Sequence, residues 1–249
     1  MNPALAPPAP WLWVLLLPAG IALAALLLRW VRRSALVPGI LAGMLVLYLG
    51  GIGGFLVLLG FFLLGTALTR LGYSVKEARG VAEEQGGRRG ASHVAANCAT
   101  GLAVLGVRGL FRAFGGPGAP SAGGPLDAAL WAAYLGSFAA AVSDTASSEI
   151  GQLWGRRTVL LPSFRPVPIG TPGAVSLEGL AGGFGASAAI GAIGAALGMV
   201  DVRGAVAVAL AGFLGNLMES LAGSWGRRTL PHGLLNRANT VVGALLAAL

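Results

Sequence analysis

Residues 35–69 read ALVPGILAGMLVLYLGGIGGFLVLLGFFLLGTALT, thirty-five consecutive residues without a charged side chain. A helix that crosses the hydrocarbon core of a bilayer needs about 20 mostly apolar residues. This stretch is therefore too long for one crossing, and it divides at the glycine cluster Gly50-Gly51-Ile52-Gly53-Gly54. We predict two antiparallel membrane helices joined by a very short turn.

The rest of the chain has the same composition. Mean hydropathy is +0.77, 55% of the residues are hydrophobic and 10% are charged, whereas soluble domains carry about 25% charged residues. The fold class is therefore all-α, a polytopic transmembrane bundle of about eight spans in one integral membrane domain, 1–249. The other spans are predicted at 11–28, 91–114, 126–153, 174–199, 203–225 and 236–249, with a non-helical linker at 115–125.

The basic residues set the orientation. With the N-terminus outside, 14 of the 17 basic residues fall in segments predicted to be cytoplasmic, including a loop at 70–92 and a substrate loop at 155–173. Positive residues concentrate on the cytoplasmic side of membrane proteins. They punctuate apolar runs and form no basic domain, so the predicted partner is the lipid bilayer and no nucleic acid. The richness in Arg and Gly is typical of a GC-rich bacterial genome, which places this multi-pass protein in a bacterial inner (cell) membrane.

Glycines recur at a spacing of four residues, and one short segment occurs twice in the sequence. Pairs such as Gly39 with Gly43 and Gly179 with Gly183 allow close helix approach. The segments 154–158 (WGRRT) and 225–229 (WGRRT) each follow a helix that carries an acid beside a hydroxyl. This pattern indicates either a parallel internal repeat or a chance match. The single cysteine, Cys98, excludes an intramolecular disulfide and is interpreted as a buried, inert thiol.

Ionisable residues inside a span are functional candidates. Asp144 and Glu149 lie near the inner end of the fifth predicted helix; the alternative is that they pair with loop arginines at the interface. Asn216, Glu219 and Ser220 share one stripe of the seventh helix, as ligands for a cation or polar substrate or as interhelical hydrogen-bonding groups. Asn236 and Asn239 begin the eighth helix, where they bind ligand or only cap the helix end.

The loop from Arg165 to Glu178 contains prolines and glycines just before a helix. Free N–H groups at the start of a helix favour phosphate binding. Gly170 and Gly173 would let a ligand approach the backbone closely, and Thr171 and Ser176 offer hydroxyls. The alternative is an ordinary turn with no ligand. Arg88 and Arg89, with Asn97, suit phosphate oxygens or anionic lipid headgroups. His93 and His232 lack metal-ligand spacing, and we predict no catalytic role for either.

At these residues the sequence resembles an integral membrane family (the domain-of-unknown-function ninety-two family) that includes the plant phytyl-phosphate kinase and animal transmembrane protein nineteen. The resemblance rests on sequence blocks that run through most of the chain: Glu83-Glu84, Gly87-Arg88-Arg89-Gly90 and Asn97; Ser143-Asp144-Thr145 and Glu149-Ile150-Gly151; Val167-Pro168-Ile169-Gly170-Thr171, Gly173 and Val175-Ser176-Leu177; 216–223 and 236–239. The chain departs from the family at Glu219, where Asp is expected, and at Cys98, where Gly is expected.

The resemblance implies a kinase that phosphorylates a polyprenyl or phytyl monophosphate to the diphosphate, with CTP or another nucleotide as donor. Asp144, Glu149 and Glu219 would be catalytic and hold Mg²⁺, while the arginines, the asparagines and the 170–173 loop, with Ser176 and Ser220, would bind phosphates. A homo-oligomer is left open. The alternatives are a transporter or flippase of a lipid phosphate or other anion, and a structural subunit.

Overall fold

A computed structural model describes residues 10–114, 123–225 and 232–249. Most of them are helical, in the order α1 Pro10–Leu27, α2 Leu36–Arg70, α3 Tyr73–Ala78, α4 Glu84–Gly87, α5 Ala91–Phe114, α6 Pro125–Trp154, α7 Leu177–Ala196, α8 Val202–Trp225 and α9 His232–Ala247. The two short strands, β1 Thr158–Leu160 and β2 Ala174–Ser176, pair antiparallel. The predicted all-α polytopic fold is confirmed.

Helix α2 reverses at the predicted glycine cluster. Gly51 has φ 64° and ψ −169°, which is outside the helical region and which glycine adopts readily because it has no Cβ. Residues on either side of Gly51 touch: a Cβ added to Gly43 would lie 3.3 Å from Cε2 of Phe55. In a straight helix these two residues would be about 18 Å apart. The two halves of α2 therefore form the predicted antiparallel pair.

Five helical segments of the described chain are long and apolar enough to cross a membrane: Arg33–Arg70, Ala91–Phe114, Pro125–Trp154, Leu177–Ala196 and Val202–Ser224. The first of these contains both halves of α2. Two further helices, α1 and α9, are shorter, with 18 and 16 residues. Counting the halves of α2 separately, the described residues contain eight bundle helices, in line with the predicted arrangement.

Helix α6 is the centre of the bundle. Tyr134, Leu135, Phe138 and Val142 on this helix have no exposed surface. The neighbouring helices approach α6 closely because glycines face it. A Cβ added to Gly183 of α7 would contact Ser147, one added to Gly212 of α8 would contact Ala139, and one added to Gly243 of α9 would contact Gly136. The interpretation of Gly179 and Gly183 as packing positions fits this geometry, since both lie against the α6 backbone. Gly39 differs, because the space beside it is empty.

Three segments predicted to be cytoplasmic meet at one end of the bundle, which we call the arginine-rich end (28–35, 71–90 and 155–176). Arg32 N donates to Arg89 O at 2.9 Å, and Arg79 Nη1 donates to Gln152 O at 2.6 Å. Gly170 packs against Val81. The fourth such segment and the second copy of the repeat lie largely in 226–231, outside the described residues.

Three predicted boundaries differ from the structure. Pro125 does not belong to a non-helical linker but is the first residue of α6, where proline fits because its missing N–H has no helical partner. The sixth span was predicted to begin at residue 174, three residues too early, because 174–176 form strand β2 and α7 begins at Leu177. The last helix starts at His232, so Asn236 lies inside it. Residues 115–122 of the linker are outside the described part.

Candidate functional site

A polar cavity of about 140 Å³ lies between α2, α5, α6 and α9 and the segment before α5. It brings together five of the predicted site residues: Arg89, Asn97, Asp144, Glu149 and Asn236. The other lining residues are Thr69, Glu83, His93, Thr145, Ser148 and Gln152. Three carboxylates thus face one guanidinium in a small space.

Arg89 is held in the cavity by its backbone and by a glycine. Its N–H donates to Trp30 O at 3.4 Å and its carbonyl accepts from Arg32 N at 2.9 Å, which ties it to the chain after α1. The guanidinium crosses Gly65, where a Cβ would lie 2.8 Å from Nη2. Burial lowers the pKa of Arg89 below its ordinary value, and the nearby carboxylates of Glu149, Glu83 and Asp144 oppose that shift.

Glu149 has a partner that the sequence did not predict. Lys76 Nζ lies 2.5 Å from Glu149 Oε2, and both side chains are buried. The same ammonium also donates to Thr69 O at 2.8 Å. Lys76 belongs to the short helix α3, 73 residues earlier in the chain. One oxygen of the proposed metal ligand Glu149 is therefore already bound by a cation.

Glu219 and Asn239 do not line the polar cavity, but they lie next to Asp144, and we call these three residues the carboxylate corner. Asp144 is an electrostatic neighbour of Glu219, and the side chain of Asn239 hydrogen-bonds Glu219. Asn239 also donates to Ala140 O at 3.1 Å. Three acceptor oxygens of this region are buried and have no hydrogen-bond partner among the described residues: Glu219 Oε2, Asn236 Oδ1 and Asn239 Oδ1.

The other two stripe residues of α8 have structural contacts. Asn216 Nδ2 donates to Ser147 Oγ of α6 at 2.7 Å, as in the interhelical alternative. Ser220 lies where α8 meets the loop, because a Cβ added to Gly173 would be 2.8 Å from its carbonyl oxygen. Neither residue lines the polar cavity.

The 165–176 loop also stays outside the cavity. Gly170 (φ 81°) packs on Val81, Gly173 (φ 73°) packs on the α8 backbone, and the backbone of Thr171 forms a turn by accepting from Ala174 N at 3.1 Å. The hydroxyl of Ser176 accepts from Gly179 N at 3.1 Å, so this residue caps α7. The N-terminus that we expected to bind phosphate is thus closed by its own cap.

Arg88 and Arg165 are exposed at the arginine-rich end and do not line the cavity. Arg88 Nε donates to Gln85 O at 3.0 Å. Both remain available to a ligand that extends out of the cavity, but the structure does not group them with Arg89.

Sequence reasoning missed His93, which lines the cavity with Nε2 3.2 Å from Glu83 Oε1. His93 and Asn97 are four residues apart in α5 and therefore lie on one face of that helix. Their spacing was readable in the sequence, whereas Arg89 precedes the helix and reaches the cavity through its own backbone contacts. The Lys76–Glu149 contact was not readable in the sequence, because nothing local relates the two residues.

No group of three or more His, Cys, Asp or Glu residues in the described part of the chain is arranged to hold a metal ion. Mg²⁺, however, is commonly bound through one or two carboxylates plus substrate phosphates and waters. Carboxylate and amide oxygens are the ligand atoms that Mg²⁺ requires. Glu219, Asn236 and Asn239 each have one such oxygen that is buried and has no hydrogen-bond partner among the described residues. Glu219 and the asparagines thus fit a Mg²⁺ that arrives with a phosphate.

Comparison with known proteins identifies the family. The model of the integral membrane protein family DUF92 matches residues 16–234. An uncharacterized membrane protein of Synechocystis sp., sll0875, is 34% identical over 96% of this chain and 90% of its own length. Protein VTE6, chloroplastic, of Arabidopsis thaliana is 34% identical over 90% of this chain and 66% of its own length.

A more distant relative is the uncharacterized membrane protein MJ0933 of Methanocaldococcus jannaschii, 29% identical over 89% of this chain and 86% of its own length. No solved structure matches the chain. The family match covers most of the bundle, including every residue of the polar cavity except Asn236. The chain belongs to the DUF92 family of integral membrane proteins.

Proposed function

We propose that this protein is a nucleotide-dependent kinase that converts a polyprenyl or phytyl monophosphate to the diphosphate at the cytoplasmic face of a bacterial cell membrane. The resemblance to the family of the plant phytyl-phosphate kinase supports the reaction class. The observation that carries the proposal is the polar cavity, in which the buried Arg89 faces Asp144 and Glu149.

The charge balance of the cavity favours a phosphate that brings a cation. Glu83, Asp144 and Glu149 outnumber Arg89, so a bare phosphate dianion would be repelled. A divalent ion at Asp144 and Glu219, with the asparagine oxygens, would neutralise both the acids and the phosphates. Mg²⁺ supplies charge neutralisation in phosphoryl transfer. The guanidinium of Arg89 would donate two parallel hydrogen bonds to phosphate oxygens.

The reaction needs positioning more than acid–base chemistry. A phosphate oxygen of the prenyl monophosphate attacks the γ-phosphorus of CTP, a new P–O bond forms, and the bond to the β-phosphate oxygen breaks. The products are the prenyl diphosphate and CDP. Because the acceptor phosphate is already ionised at neutral pH, no side chain has to remove a proton. Arg89 and Asn97 would bind phosphate oxygens, and the carboxylate corner would hold the divalent cation that accompanies them, so that the two phosphates are positioned for in-line attack.

Lys76 has a supporting role in this scheme. Its ammonium lies 2.5 Å from Glu149 Oε2 and does not itself line the cavity. The contact holds the Glu149 carboxylate in one position at the cavity wall.

The test is a transfer assay with purified protein in detergent, Mg²⁺, γ-labelled CTP or ATP, and phytyl or geranylgeranyl phosphate. We expect labelled diphosphate from the wild type and at least a 100-fold loss in Asp144→Asn. Glu178→Gln is the matched control, because this acid lies at the same end, 4.0 Å from the exposed Arg156, and should keep activity. Folded wild-type protein that forms no product with any pairing of nucleotide and chain length would refute the kinase. Uptake or flipping of lipid phosphate in vesicles would then be measured.

A further inference from the structure

An apolar groove of about 120 Å³ lies between α1, both halves of α2 and the start of α5. Its lining is hydrocarbon along most of its length, from Pro18 and Ala22 of α1 to Gly39, Phe55 and Phe62 of α2. The polar residues among those that line it are Arg89, His93 and Asn97. These three also line the polar cavity, so the groove and the cavity meet at one stripe of side chains.

Arg89 marks the border between the two spaces. On the polar side its Nη2 lies 3.5 Å from Thr145 Oγ1. On the apolar side its guanidinium carbon lies 5.9 Å from the centroid of the Phe61 ring. An arginine placed in this way suits a molecule with an anionic head and a hydrocarbon tail, because each part meets its own kind of surface.

The groove is open at Gly39 and tight at Gly43. A Cβ added to Gly39 would meet no atom within 4 Å, whereas one added to Gly43 would lie 2.8 Å from Pro18 Cβ and 3.3 Å from Phe55 Cε2. One helical turn separates the two glycines. Gly39 therefore keeps space free where a side chain would fit, and the contact at Gly43 closes the groove beyond it.

We propose that this groove holds the first isoprene units of the prenyl-phosphate substrate, with the phosphate at Arg89, and that Gly39 keeps the groove wide enough for the tail. This inference rests on the proposed function and assigns the tail of its substrate to one place in the bundle. Lipid is as apolar as the groove lining, so the groove selects a tail by how well the tail fills its shape.

The kinetic test compares Gly39→Phe with Gly185→Phe. Gly185 lies in α7, is exposed toward lipid and also has no atom within 4 Å of an added Cβ, so it is a matched control. For Gly39→Phe we expect the ratio of kcat/KM for geranylgeranyl phosphate to that for dimethylallyl phosphate to fall at least tenfold. Gly185→Phe should keep the wild-type ratio. Equal ratios in the two folded variants would overturn the assignment.

A binding test separates this inference from the kinase proposal. Wild-type protein is irradiated with geranylgeranyl monophosphate that carries a diazirine on its second isoprene unit, and labelled peptides are mapped. We expect label on α1, α2 and α5, displaced by unlabelled geranylgeranyl phosphate and not by an equal excess of phosphatidylglycerol. Label on α7 to α9, or equal displacement by phosphatidylglycerol, would overturn the tail site.

The two results together assign any failure. Label in the groove without transfer by any nucleotide would refute the kinase and leave the groove as a lipid-phosphate site. Transfer with label elsewhere would refute the groove and leave the kinase.

Discussion

Two buried ion pairs lie at opposite ends of α6, and they differ in what surrounds them. Asp127 accepts from Arg108 Nε at 2.7 Å and from Nη2 at 3.3 Å, and Gly123 N donates to it at 3.2 Å. The Arg108 guanidinium also lies 4.2 Å from the Trp131 ring centroid. Among the described residues both oxygens of Asp127 thus have hydrogen-bond donors.

The Lys76–Glu149 pair is equally buried, but Glu149 forms part of a cavity wall. Unpartnered acceptor oxygens occur in the same region, on Glu219, Asn236 and Asn239, and none of the Asp127 oxygens is among them. Buried acceptors without partners are costly, so this difference between the described surroundings of the two pairs is informative. In the proposed function a ligand completes the bonding of the unsaturated region, whereas the saturated pair only stabilises the bundle.

The largest expected effect concerns the saturated pair. Arg108→Gln removes both side-chain bonds to Asp127 and leaves a buried carboxylate, which costs about 3–5 kcal/mol. The unfolding free energy in detergent micelles measures this loss, and activity per folded molecule should stay near wild type. Arg112→Gln is the control, since Arg112 is 45% exposed and 3.6 Å from Asp127. Equal losses in the two variants would contradict the comparison.

The next effect belongs to the cavity. Arg89→Lys keeps the positive charge but loses the fork that binds two phosphate oxygens, and we expect a 10- to 100-fold lower transfer rate, about 1.4–2.7 kcal/mol. Initial rates at saturating CTP measure it. Arg88→Lys, at the adjacent exposed position, should lie within a few-fold of wild type. A larger loss for Arg88 than for Arg89 would contradict the assigned cavity.

Lys76→Met sharpens the contrast between the pairs. Glu149 loses its partner, but the cavity lets water reach it, so we expect a smaller loss than for Arg108→Gln, about 1–3 kcal/mol. Adding Glu149→Gln should recover stability without recovering transfer, which separates the two roles of this pair. Unfolding and activity of the single and double variants measure both quantities. Activity restored in the double variant would show that Glu149 is structural.

The smallest expected effect is that of Gly65→Ala, since Gly65 lies against the Arg89 guanidinium. The added Cβ of Gly65→Ala would lie 2.8 Å from Arg89 Nη2, so the side chain must shift by a few tenths of an ångström. We expect a loss of activity of about threefold to tenfold, because small misplacements reduce transfer. Gly20→Ala, with no atom within 4 Å of the added Cβ, should leave the rate unchanged. An unchanged rate in Gly65→Ala would place the productive guanidinium elsewhere.

The fold could be predicted because lipid imposes simple requirements on the sequence. Apolar length located α5 at its observed bounds, Ala91–Phe114, and the glycines at 50–54 located the reversal of α2. The first residue of α9 was less well predicted. Asn236 and Asn239 are polar and were interpreted as the start of the helix, but they lie inside it. Three of the four arginine-rich segments were correctly assigned to the same end of the bundle.

The site could be predicted only in part. Asp144, Glu149, Asn97 and Asn236 line one cavity with Arg89, because ionisable and amide groups within spans face the bundle interior, and their roles as ligands stay predictions. The loop at 170–173 was expected beside them, but backbone contacts with Val81 and with α8 hold it away. Ser176 was interpreted as a phosphate ligand because a helix start attracts anions, and the structure shows that its hydroxyl is the cap.

We propose that chemistry occurs at the unsaturated end of α6, whereas the saturated end is structural. Phosphoryl transfer per folded molecule and Tm, measured side by side for Asp144→Asn and Asp127→Asn, distinguish the two ends. We expect at least a 100-fold loss of transfer with little change in Tm for the first variant. For the second we expect a lowered Tm with near wild-type transfer per folded molecule. Transfer that survives in Asp144→Asn, or that is lost in folded Asp127→Asn, would contradict this proposal.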